Sequence, residues 1–114
     1  MLDYRARILG EMAANKTLVS ANGNYFIAEG IDKSEVKKAL IERYGTCMNE
    51  AIQEPYYKAK NHNVDTQSIV SSYLNKFAQQ VVSDCSMMGI DSSVEGVITR
   101  LKVQLADSYF QDLG

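Results

Sequence analysis

Apolar side chains recur at two different periods along the chain, and the change of period divides it into elements. Through residues 1 to 15, Leu2, Leu9 and Ala13, with Ile8 and Met12 alongside, form a stripe while Arg5, Arg7 and Glu11 lie largely outside it. That is one face of an α-helix. Asn15 and Lys16 close it, and Gly10 weakens it, because an interior glycine costs about 1 kcal/mol relative to alanine. Residues 17 to 28, TLVSANGNYFIA, read differently: two β-prone runs, Thr17 to Ser20 and Tyr25 to Ala28, flank an Asn22-Gly23 pair that tolerates the positive φ of a tight turn. A hairpin is predicted. Two strands alone are marginal in water, so the hairpin must lie on the helices, with Leu18, Tyr25 or Phe26 as anchors.

Asp32 and Glu35 have the spacing of a capping box, and the stripe Val36, Leu40, Tyr44, Cys47, widened by Ile41, Met48, Ala51 and Ile52, predicts a helix over Lys33 to Glu54. Gly45-Thr46 either weakens this helix or divides it in two. Pro55, which lacks an amide hydrogen and restricts Glu54, ends the pattern, with Tyr56 and Tyr57 opening one further turn. The polar run Lys58 to Asp65 is the predicted interhelical loop. Asp65 then caps a helix over Thr66 to Met88, with Ile69, Val70, Tyr73, Leu74, Phe77, Val81, Val82 and Cys85 as its apolar side and Gly89 as its stop. Ser92 and Glu95 form a second capping-box pattern before a last helix, Ser93 to Gln111, striped by Val94, Val97, Ile98, Leu101, Leu105 and Tyr109.

These elements make a mainly α protein: a compact four- or five-helix bundle with a short β-hairpin near residues 17–28. Its 114 residues suit a single helical domain, 1–114, large enough to bury one core. With 46% hydrophobic and 23% charged residues the chain is too apolar to be wholly disordered. No run reaches the roughly 20 apolar residues of a membrane-spanning helix, so membrane insertion is not expected. The first dozen residues carry Asp3 and Glu11 and do not read as a secretory signal. A cytoplasmic location follows if Met1 is the native start, and a periplasmic or extracellular one if an upstream signal was removed.

Candidate chemistry is sparse. Cys47 and Cys85 lack C-x-x-C spacing and companions for a zinc site, which leaves a disulfide between two helices or two free core thiols. His62, the only histidine, sits between two asparagines and reads as a solvated loop residue. The pair Glu50 and Glu54 has no Glu-x-x-His companion, no serine has a hydrolase setting, and the glycines do not build a phosphate cradle. No cofactor is implied. The formal charge of -2 and pI near 5.3 disfavour a nucleic-acid partner. Lys33, Lys37, Lys38 and Arg43 do cluster, but Glu35 and Glu42 interleave with them, and Met48 to Ile52 carries no cation to act in a recognition helix.

Charge is uneven, with nine bases against eight acids (+1) in residues 1 to 60 and three against six (-3) in residues 61 to 114. The acids Asp84, Asp91, Glu95, Asp107 and Asp112 would suit a partner with a basic surface. Aromatics at turns and element ends, Tyr25, Phe26, Tyr56 and Tyr57, would supply rigid anchors, although packing of the hairpin on the bundle accounts for Tyr25 and Phe26 without a partner. The expected function is therefore stoichiometric protein binding, as by an inhibitor, immunity protein or adaptor, rather than catalysis. Tyr56, Tyr57, Asp84 and Glu95 are the candidate partner-binding residues, and a homodimer is compatible with the pattern. The alternatives are a nucleic-acid-binding accessory protein and a small enzyme whose site assembles only in three dimensions.

Overall fold

The structure, a computed structural model, describes residues 4–105. Along the chain run α1 (Tyr4–Ala14), β1 (Leu18–Ala21), β2 (Asn24–Ile27), α2 (Lys33–Asn61), α3 (Thr66–Met87) and α4 (Val94–Gln104). It is a four-helix bundle with a two-stranded antiparallel hairpin. No described helix is long and apolar enough to cross a membrane. Leu2 and Tyr109 lie outside the described residues.

Three helices end in the same way, for a reason visible in the chain. Lys16, Asn63 and Gly89 have φ of 64°, 57° and 74°, and each turns the backbone so that the next amide reaches back to a carbonyl of the last turn. Thus Thr17 N–H donates to Met12 O at 2.9 Å, Val64 to Ala59 at 2.8 Å and Ile90 to Cys85 at 2.8 Å. This is the Schellman closure, which satisfies carbonyls a helix end otherwise leaves bare. Helix starts are more varied. Asp65 accepts from Gln67 N–H and from the Ser68 hydroxyl. Asp32 occupies the N-cap of α2 but its carboxylate makes no cap hydrogen bond, and the cap of α4 is Ser93, accepting from Gly96 N–H, one residue beyond the expected Ser92.

α2 runs through both predicted interruptions. At Gly45 the helix continues and α4 makes a close approach: a Cβ there would collide with the Gln104 side chain. Gln104 Nε2 donates to Ile41 O at 3.1 Å, and Asn49 Nδ2 donates to both Gly45 O and Gln104 O. Pro55 does not end the helix either. It removes one ladder hydrogen bond, yet Met48, Ile52, Tyr56 and Ala59 continue a buried stripe past it, so packing outweighs the local defect. The loop consequently shrinks to four residues, 62–65. α4 ends at Gln104, where Leu105, buried but extended at ψ 143°, leaves the helix; the rest of the expected span, 106–111, lies outside the described residues, as do Asp107 and Asp112.

One cluster of buried side chains joins the elements. Ile8, Leu9 and Met12 of α1, Leu18 of β1, Leu40, Tyr44, Met48, Ile52 and Tyr56 of α2, Phe77 and Val81 of α3, and Val97 and Leu101 of α4 all contribute. Phe77 holds an aromatic group together, with ring centroids 5.7 Å from Tyr4 and 6.4 Å from Tyr44 and from Tyr73.

Candidate functional site

The hairpin's turn determines which of its residues meet solvent. Asn22 and Gly23, at φ 53° and 79°, form a two-residue turn with both central residues left-handed, the geometry that matches the twist of two antiparallel strands. The register is then Leu18 with Ile27, Val19 with Phe26, Ser20 with Tyr25 and Ala21 with Asn24. Successive side chains alternate between faces. Leu18 is buried, with Tyr25 and Ile27 packed beside it on the core. Val19 and Phe26 point the other way. They are 50% and 54% exposed and directly opposite each other, an apolar tile on the outer face. Of the three expected anchors, Leu18 and Tyr25 face the helices and Phe26 does not.

The residues expected to bind a partner do not converge. Tyr56 is fully buried on the α2 stripe, its ring edge-on to Tyr57 at 5.2 Å, so it cannot anchor a partner. Tyr57 is 46% exposed near the end of α2, without a second exposed aromatic among the described residues beside it. Glu95 is exposed in the first turn of α4. The 22 residues of α3 separate the ends of the bundle that carry these two, a span of about 33 Å at 1.5 Å per residue.

Asp84 is interior rather than surface. Its Oδ1 accepts from Arg5 Nε at 2.8 Å and Gln80 Nε2 at 3.3 Å, and its Oδ2 from the Tyr44 hydroxyl at 2.5 Å. One carboxylate therefore ties α1, α2 and α3. Burial, reinforced by the Asp84 hydrogen bond, pushes the Tyr44 phenol pKa well above its ordinary value, so it remains a donor.

In the structure the two cysteines are free and buried. Each thiol has its own neighbours on different helices. Cys47 Sγ accepts from Arg7 Nη2 of α1 at 2.9 Å, while Cys85 lies by Ser92 before α4, and burial raises its pKa against the lowering effect of that hydroxyl. Around Cys47 is a cavity of about 300 Å³ lined by Arg7, Ile8, Glu11, Arg43, Thr46, Cys47 and Glu50. Its charges largely satisfy one another: Arg43 bonds Glu11 at 2.6 Å, and Arg7 lies 3.8 Å from Glu50. The Cys47 contact, followed by these carboxylates, keeps Arg7 more firmly protonated than usual.

His62 caps α2, its Nδ1 within 2.8 Å of Lys58 O, beside an apolar hollow lined by Pro55, Lys58, Ala59, His62, Val64 and Ile69. No carboxylate lines it. Among the described residues no group of three His, Cys, Asp or Glu side chains could hold a metal ion. The basic cluster is largely spent within the fold: Lys33 donates to Gly89 O at 2.9 Å, Lys37 reaches Asp91 O at 3.5 Å, and Arg43 holds Glu11. No family model, curated protein or solved structure matches this chain.

Proposed function

We propose that this protein acts by stoichiometric binding of another protein, in the manner of an inhibitor, immunity protein or adaptor, and that the outer face of the hairpin is its anchor. The observation that carries the reading is the Val19/Phe26 pair: two large apolar side chains, each at least half exposed, set opposite one another on a short hairpin. Covering the exposed half of Phe26 is worth about 1–1.5 kcal/mol, and aromatic residues including phenylalanine are enriched in interfaces. The whole stretch from Thr17 to Ala28 carries no charge. The face therefore suits an apolar counter-surface, and any preference for a basic partner must come from acids elsewhere, such as Glu95.

Calorimetry with a purified partner tests the reading. Binding should saturate at one partner per chain and weaken about tenfold in Phe26→Ala, a loss of roughly 1.4 kcal/mol. An affinity unchanged in Phe26→Ala would remove the hairpin from the interface. Substrate turnover by the purified chain, lost in His62→Ala with the fold intact, would replace binding by catalysis.

A further inference from the structure

The hairpin has an edge as well as a face, and the edge has a defined pattern. Ala28 N–H donates to Thr17 O at 3.1 Å, continuing the ladder one step beyond the strands. Hydrogen-bonded and non-bonded pairs alternate in an antiparallel ladder. Thr17/Ala28, Val19/Phe26 and Ala21/Asn24 are therefore the bonded pairs, and Leu18/Ile27 and Ser20/Tyr25 the non-bonded ones. It follows that the backbone N–H and C=O groups of Tyr25 and Ile27 point outward from β2. Among the described residues no backbone group of another element bonds to them. α1 packs against β1, and among the described residues β2 is the strand whose outer backbone edge is left unbonded.

Exposed edges are ordinarily guarded by charges, proline or a bulge. Apart from the four-residue length of β2, this one has none: residues 17 to 28 contain no charged residue and no proline, and the register is uninterrupted. We propose that β2 pairs with β2 of a second copy of this chain, antiparallel about a twofold axis at Phe26. In that register Tyr25 of each copy lies opposite Ile27 of the other, and the two outward-facing residues exchange both of their hydrogen bonds, four in all. Any register centred on Tyr25 or Ile27 makes fewer. The edge is thus complementary to itself, as a twofold interface must be.

The same register explains why the second copy, rather than an unrelated strand, fits. Phe26 becomes a non-bonded pair with its symmetry mate, the arrangement that brings cross-strand side chains closest, with Cα atoms about 4.5 Å apart. A twofold axis sets every residue on it against an identical one, so a charge there would repel itself. Phe26 instead meets an aromatic. Val19, Phe26 and their two counterparts then form one apolar row across four strands, widening the face assigned above to a partner. Four backbone hydrogen bonds and one row of four side chains make a small contact, of the class that gives transient rather than obligate association. The dimer is accordingly weak and reversible.

Sedimentation equilibrium on the intact chain, from about 10 µM to 1 mM, should show monomers giving way to dimers without larger species. Phe26→Lys should weaken association at least tenfold, and so should Phe26→Glu, while an equimolar mixture of the two should recover it. Amide hydrogen exchange on the unmodified protein gives a readout that needs no variant: protection at Tyr25 and Ile27 should rise with protein concentration. A chain monomeric throughout that range overturns the proposal. So do self-association unaffected by Phe26→Lys, a variant mixture that stays monomeric, and protection at these two amides that is independent of concentration.

Discussion

Asp84 shares the buried side of α3 with Phe77 and Val81, and its carboxylate receives Arg5, Gln80 and Tyr44 in place of water. Removing one partner of a buried charged pair typically costs 3–5 kcal/mol, and the exposed third of Arg5 reduces this. Asp84→Ala should thus destabilise by about 3 kcal/mol in denaturant melts, and Asp84→Asn, which keeps an acceptor, by less. Tyr44 adds a pH dependence. Its pKa is raised in the folded state, while in the unfolded chain it ionises at about 10. Above that pH the folded state binds the extra proton, so stability is complete below about pH 10 and falls as pH rises beyond it. Melts at pH 9 and 11 should show a shallower alkaline loss in Tyr44→Phe than in the unaltered protein. The thiols supply a third test: Cys47 and Cys85 should resist alkylation until the chain unfolds, and a reductant should leave the melting temperature unchanged. Asp84 was legible in part, since it falls three residues after Val81 and seven after Phe77. What the sequence lacks is any sign that Arg5, 79 positions away, would meet it.

At the scale of elements, periodicity located all four helices and the Asn22-Gly23 turn, because each reports on local geometry. The errors lie where local and tertiary terms oppose each other. Pro55 is a helix breaker by its own chemistry, but Ile52, Tyr56 and Ala59 keep the α2 stripe buried on either side of it. Pro55→Ala should therefore restore a ladder hydrogen bond and stabilise the protein by about 1–2 kcal/mol, part of the roughly 3 kcal/mol that an interior proline costs. A loss of stability would show that the helix does not run through residue 55 as described. The facing of Phe26 was left open by the sequence for a different reason. Strand alternation places it opposite in facing to Leu18, yet alternation alone does not say which face turns toward the helices; that is decided by α1, which packs on β1.

Across the whole molecule the interior is accounted for by one core. Phe77 and Leu101, both fully buried, occupy the middles of the α3 and α4 stripes, and replacing either by alanine should cost about 2–5 kcal/mol in denaturant melts. The surface is less uniform. Lys33, Lys37 and Arg43 of α2 are engaged with carbonyls or a carboxylate of the same chain, whereas the outer hairpin face pairs two large apolar residues with nothing described above them. The central claim is that this face meets another protein. A photoreactive aromatic at position 26 tests it most directly, against the same group at exposed Thr99 on α4. With the partner present, position 26 should give one discrete adduct of one chain to one partner, and position 99 none. Equal adducts from both positions, or none from position 26 while binding persists, would contradict the account.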